Sequence, residues 1–151
     1  MKKLIEIDGS MGEGGGSVLR LSTALATTLN ESIRVTNIRV KRENPGLRPQ
    51  HLMGLRALEE LCKGELTGDE VGSTEIRLNP GKIQGREINV EIETAGSVCL
   101  VLQTLMIPAM FSNSKTTIKF RGGATDTFFA PTIDYLKNVT LPMLRRIGYS
   151  G

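Results

Sequence analysis

The chain has 151 residues and a mass of 16.4 kDa, which suits one domain, or at most a small domain with an appendage. Hydrophobic residues at 39% and charged residues at 23% argue against disorder, and 4% aromatics with no Trp argue against a stacked-ring platform for single-stranded nucleic acid. A net charge of +3 and a pI near 9.0 suit a polyanionic partner without establishing one.

Leu4–Asp8 alternates as a short strand and runs into a glycine-rich turn ending at Gly16. Glu6 and Asp8 break the apolar start, so the N-terminus does not read as a signal peptide. Residues 17–30 carry Val18, Leu19, Leu21, Leu25 and Leu29 at helical spacing. Residues 33–38 read as a strand and 39–48 as a basic loop with Pro45-Gly46. Residues 49–62 form a helix with Leu52, Leu55, Leu58 and Leu61 on one stripe, closed by Lys63-Gly64. A strand follows at 74–78.

Residues 88–93 form the next strand, 94–97 a shortened turn, and 98–111 a buried helix too short to span a bilayer. Residues 116–120 are a strand and 122–130 a loop. Residues 131–147 read as one helix with Leu136, Val139, Leu144 and Ile147 facing one way. No membrane contact is expected, and a cytoplasmic location is the default. Cys62 and Cys99 lie far apart outside any CxxC, and His51 is the one histidine. These counts exclude a zinc site, a multi-histidine centre and a disulfide framework. Apolar neighbours predict that both thiols are buried and reduced.

The order strand, loop, helix, strand, loop, helix recurs. Leu21-Ser-Thr-Ala matches Leu102-Gln-Thr-Leu, and Pro49 matches Pro131, each pair about 80 residues apart. The reading is an α/β (α+β) fold of tandem βαβαβ-type repeats, 1–80 and 81–151, with helices covering one face of each small sheet. The second copy stops one strand short, so the chain reads as cut. An exposed sheet edge and self-association, or a homo-oligomer, are expected from that.

Four segments carry candidate chemistry. Asp8-Gly-Ser-Met-Gly-Glu13-Gly-Gly-Gly16 lies between a strand and a helix, where glycines and helix amides can meet an anion. It is neither GxGxxG nor GxxxxGK[ST]. A divalent cation would reconcile the Glu13 carboxylate with phosphate; a tight turn with a solvated Glu is the alternative. The basic segment 39–51 holds Arg39, Lys41, Arg42, Arg48, Gln50 and His51, with Arg20 one turn into the first helix. It reads as a phosphate site or as a solvated loop. At a helix start beside arginines, His51 is expected to be neutral, as a nucleophile or a donor to phosphate. Gln103, polar among apolar residues, reads a purine edge or bridges backbone groups. Phe128, Phe129 and Pro131, after Gly122-Gly123, wall an adenine or fill core.

Taken in order, Gly9-Ser-Met-Gly-Glu-Gly-Gly-Gly16 with Val18-Leu-Arg20, Pro45-Gly-Leu-Arg-Pro-Gln-His51, Gly72-Ser-Thr74, Ala95-Gly-Ser97 with Leu100-Val-Leu-Gln-Thr104, and Gly122-Gly123 with Ala130-Pro131 and Asp134-Tyr-Leu136 resemble the RNA 3'-terminal phosphate cyclase family. The resemblance runs over essentially the whole chain. It implies a large domain of repeated units like those of the enolpyruvyl transferases. It implies ATP-dependent conversion of an RNA 3'-phosphate to a 2',3'-cyclic phosphate with a divalent metal, Mg or Mn. In that reaction a histidine is adenylylated, AMP passes to the RNA end, and the 2'-hydroxyl displaces it.

Carried over by position, the resemblance makes Glu13 a metal-associated acid, Gln103 a nucleotide-binding residue and Pro131 a neighbour of adenine. Arg20, Arg39, Arg42, Arg48, Gln50 and His51 become the cluster holding phosphates of ATP or of the RNA end. Ser17 stands where the family has Gln, and Ala124 is inserted between Gly123 and Thr125. The family's nucleophilic histidine lies in a C-terminal block that nothing here matches, and its small inserted domain is missing. The expectation is an N-terminal part of a cyclase that does not complete catalysis alone, with no catalytic residue of its own beyond the supporting His51, Arg42 and Arg20. The alternatives are a non-catalytic cyclase-like RNA-processing factor and a phosphate-binding module.

Overall fold

The computed structural model describes residues 3–150. In chain order these form β1 (Leu4–Asp8), α1 (Gly16–Leu29), β2 (Ser32–Thr36), α2 (Pro49–Cys62), β3 (Glu65–Thr67), β4 (Ile76–Asn79), β5 (Glu87–Ser97), α3 (Val98–Ala109) and β6 (Thr117–Ala124). A continuous helical segment follows: α4 (Ile133–Tyr135), a π-helical stretch (Leu136–Thr140) and α5 (Leu141–Arg146). The strands make two sheets, and with the helices they form a mixed α+β fold.

The first sheet has the order β1-β2-β4-β3. β1 and β2 are parallel, with Ile5 opposite Ile33 and Ile7 opposite Val35; β4 runs antiparallel to both β2 and β3. Alternation sends Ile33, Val35, Ile76 and Leu78 inward. The second sheet is the parallel pair β5-β6, which buries Ile88, Val90 and Ile92. α2 lies against β5, α1 and α3, so its leucine stripe, Leu52, Leu55, Leu58 and Leu61, is buried as the spacing predicts. Cys62 and Cys99 are free and buried.

Several expectations need correcting. β3 was not foreseen, because three residues with one apolar member carry no period. Residues 94–97 are not a turn. They extend β5 to Ser97 across an irregularity after Ile92, where the register shifts by a bulge. The apolar stripe of α1 faces outward: Leu21, Leu25 and Leu29 are 52%, 48% and 69% exposed. The inward face is made of Leu19, Thr23, Ala24, Ala26 and Thr27, small residues that let α1 lie against both α3 and α2. The helix expected over 131–147 runs from 133 to 146, with a π-helical stretch at Leu136–Thr140. Pro142 removes a donor from the ladder and the chain takes a π turn before it. Of the predicted stripe there, Leu136 is buried, whereas Val139 and Ile147 are exposed.

Candidate functional site

The site gathers where β1 hands over to α1. Asp8 closes β1 and accepts from the Ser10 N–H (2.9 Å) and from Asn37 Nδ2 (3.1 Å). These donors, the Ser10 backbone first, hold its carboxyl below the usual range. Gly9 abuts the backbone of Thr36, leaving no room for a Cβ. The turn then enters α1 at Gly15, with no side-chain cap and no acidic residue in the first turn. The opening amides of α1 therefore have no side-chain cap.

The basic loop folds over this turn. The Lys41 chain packs on Gly14 and its Nζ donates to Gly12 O at 3.2 Å. Arg42 lies over Gly15 and reaches the 92% exposed Glu13 carboxylate at 3.5 Å. Arg39 takes a left-handed backbone (φ 54°) and donates to the Asn44 and Gly46 carbonyls at 2.7 and 2.8 Å, so it braces the loop. Gly46 (φ 75°) sits on the Gly72 backbone. Leu47 N donates to Ser73 O, and Gly72 N donates back to Leu47 O. The Gly72-Ser-Thr74 motif is thus the buttress of the basic loop.

Pro49 starts α2, and three residues on from Arg48 comes His51, 6% exposed. Its Nδ1 accepts from the Arg48 N–H at 3.2 Å. Its other edge lies against Gly16, where a Cβ would overlap Nε2 and come within 2.9 Å of Arg20 Nη1. Burial, then the cations Arg39, Arg20 and Arg48, push the His51 pKa down to about 3. Burial also lowers that of Arg20, and burial followed by Arg48 and Arg42 lowers that of Arg39. Arg20, Arg42 and His51 therefore meet at the start of α1, with the charges of Arg39 and Arg48 acting on His51.

Gln50 turns the other way. Its Oε1 accepts from the Ser97 N–H at 2.8 Å. Gln103 joins Arg20 in a cleft of about 390 Å³ between α1, α3 and the C-terminal helical segment, walled also by Leu21, Met106, Ile107 and Tyr149. The Gln103 amide makes no hydrogen bond among the described residues, so it does not bridge backbone groups. Sequence reading missed the apolar wall, although Met106, Ile107 and Met110 stand at helical spacing from Gln103 on α3. Pro131 is not among the walls of that cleft. Phe128 and Phe129 are 95% and 104% exposed, which overturns their reading as core. No cluster of three or more His, Cys, Asp or Glu side chains able to hold a metal ion exists among the described residues.

A family model described as RNA 3'-terminal phosphate cyclase matches residues 11–151. The chain belongs to the RNA 3'-terminal phosphate cyclase family. It is 48% identical to the RNA 3'-terminal phosphate cyclase of Methanothermobacter thermautotrophicus, over 98% of this chain and 44% of that protein. It is 49% identical to that of Pyrococcus furiosus, over 98% of this chain and 43% of that protein. With the Archaeoglobus fulgidus cyclase the identity is 47%, over 96% and 44%. The chain thus spans under half the length of these cyclases. No helix among its described residues is long and apolar enough to cross a membrane.

Proposed function

We propose that this chain carries the nucleotide- and phosphate-binding part of an ATP-dependent RNA 3'-phosphate cyclase. The observation that carries the reading is the convergence of Arg20 and His51 on Gly16, at an uncapped helix start. A transferred or cyclised phosphate needs its charge neutralised and its oxygens held, and this cluster is built for that. Arg20, Lys41 and Arg42 are the cations that reach the turn; Arg39 and Arg48 add field. Gln103, its amide free in the same cleft as Arg20, is read as the contact to the nucleotide, and Pro131, outside that cleft, as a neighbour of the adenine on the strength of the family resemblance alone.

Glu13 is read as the ligand of a divalent cation, Mg or Mn. A lone exposed carboxylate fits such an ion only when phosphate oxygens complete its shell. The metal would supply charge neutralisation at the phosphates. The two buried free thiols suit a reducing compartment, so a cytoplasmic protein is proposed. Residues 1–80 and 81–151 are read as two copies of one unit, because each contains a parallel strand pair joined by a helix.

The test is binding of labelled RNA ending in a 3'-phosphate or a 3'-hydroxyl, with ATP and Mg²⁺, followed by intact mass. Preference for the 3'-phosphate and for ATP, both lost in Arg20→Ala and Arg42→Ala, is the expected result. No AMP adduct on this chain is expected, since its one histidine is locked by Arg48. RNA binding without ATP binding would favour the non-catalytic RNA-processing reading instead.

A further inference from the structure

We propose that Phe128 and Phe129 form a two-ring platform on which the unpaired bases at the 3' end of an RNA stack while its terminal phosphate is held at the basic cluster. The inference rests on the phosphate-binding reading and adds to it the nucleotides that precede the phosphate.

Both rings stand in solvent, at 95% and 104% exposure. They lie on the loop between β6 and α4, which is closed at its base where the Ile133 N–H donates to Thr125 O at 2.9 Å. Phe129 takes a left-handed backbone, φ 62°, in which a bulky side chain rarely stands. A single exposed apolar residue is ordinary, but two adjacent rings held out on a closed loop mark a contact surface. The ring centroids are 6.4 Å apart and their planes are tilted by 48°. The rings do not stack on each other, so each keeps a face open to a base.

Position names the occupant. Gln50 stands between Arg48 and His51, and its Oε1 accepts from the Ser97 N–H at the carboxyl end of β5. Ser97 pairs with Ala124, the last residue of β6. Gly96 packs on the Gln50 side chain, and Gly123 on the Gly96 carbonyl. Phe128 is four residues on from Ala124, so at most about 14 Å from it. The rings thus leave the fold at the same end as the basic start of α2. An RNA whose last phosphate is held by those cations runs its preceding nucleotides over this end. The adenine of a bound nucleotide suits these rings less. A small ligand is enclosed by a cleft, and neither Phe walls the cleft of Arg20 and Gln103. Rings standing out in solvent suit the bases of a strand, and stacking accepts any base. The low aromatic content excludes a long platform, but two of the four phenylalanines side by side serve one or two nucleotides.

Titration of the chain with a 5'-labelled RNA ending in a 3'-phosphate tests the platform. Phe128→Ala and Phe129→Ala, both at fully exposed positions, should each weaken binding by roughly 5- to 100-fold. Phe128→Trp should stay within about threefold of the wild type. Phe128→Leu is apolar but offers no ring face, so it should lose as much as Phe128→Ala. An RNA abasic at its last two positions should bind the wild type weakly and show no further loss in the Phe variants. Affinity for ATP should be the same in all of them. Phe128→Leu binding like the wild type, or the abasic RNA binding like the intact one, overturns the platform. Loss of ATP affinity in the Phe variants gives the rings to adenine and overturns it as well. RNA binding that is lost in Arg42→Ala yet unchanged in both alanine variants of the rings overturns the platform and leaves the phosphate-binding reading standing. No preference of the wild-type chain for a 3'-phosphate over a 3'-hydroxyl overturns that reading itself.

Discussion

Gln50 Oε1 accepts a hydrogen bond from the Ser97 N–H at 2.8 Å, across 47 positions of sequence. Ser97 is 3% exposed and its side chain in turn caps α3 by accepting from the Leu100 N–H. One amide therefore pins the start of α2 to the start of α3. Gln50→Ala leaves a buried N–H without an acceptor, which costs about 1–3 kcal/mol. The melting temperature should fall by several degrees, on the order of 2–4 °C per kcal/mol. Gln50→Glu keeps an acceptor and should lose less. Equal melting of wild type and Gln50→Ala would show that the contact carries no stability.

Gly16 and Gly12 lie in the same turn yet predict different outcomes. Gly12 (φ 58°) has open space where a Cβ would go. Gly12→Ala therefore costs about 1–2 kcal/mol of left-handed strain and touches nothing. At Gly16 the Cβ meets His51 Nε2 and Arg20 Nη1. Gly16→Ala should displace both side chains and weaken ATP binding by at least about tenfold, roughly 1.4 kcal/mol. Gly12→Ala should leave affinity near that of the wild type. Titration of both variants with ATP, alongside their melts, separates loss of the site from loss of the fold.

What could be read in the sequence was what has a period or a special residue. The α2 leucine stripe, the alternation of β1 and β2, and Pro49 at a helix start are local signals, and each element stands where it was expected. The α1 stripe misled because hydrophobicity does not say which face is inward. Ala24, Ala26 and the threonines win the inner face by being small. In the C-terminal helix the missing donor of Pro142 was visible, but the π turn before it was not. In the site, residue types were legible and partners were not. Nothing in the spacing tells that Gln50 serves Ser97 or that Arg39 serves the Asn44 and Gly46 carbonyls. Those pairings depend on chain crossings that only the folded backbone fixes.

His51 should make stability fall with acid well before the carboxylates titrate. Its folded pKa, about 3, lies below the unfolded value of 6.5. Below pH 6.5 the unfolded chain gains a proton that the folded chain refuses. The contribution is thus fully present above pH 6.5 and is lost progressively down to about pH 3. The slope is about 1.4 kcal/mol per pH unit, so about 2 kcal/mol disappears between pH 7 and pH 5. Urea denaturation at those two pH values measures it. His51→Gln, which does not titrate, should flatten the difference. A wild-type chain with equal stability at both pH values would mean that the ring is open to protons.

Thr27 offers a substitution that should stabilise the protein. It is 1% exposed on the inner face of α1, and its Oγ1 is buried without a partner. Its neighbours do better: Thr23 Oγ1 donates to Leu19 O at 2.8 Å and Thr28 Oγ1 to Ala24 O at 2.9 Å. Thr27 therefore bears the desolvation of a hydroxyl with no return. Thr27→Val keeps the branched shape, replaces the orphan oxygen by a methyl, and suits the stiff χ1 of a helical position. A gain of about 1 kcal/mol is expected in urea denaturation. Thr23→Val should give no gain, since there the hydroxyl already has its acceptor. A loss of stability in Thr27→Val would mean that the site is too tight for a methyl or that Oγ1 has water beside it, and either would remove the argument from the orphaned oxygen.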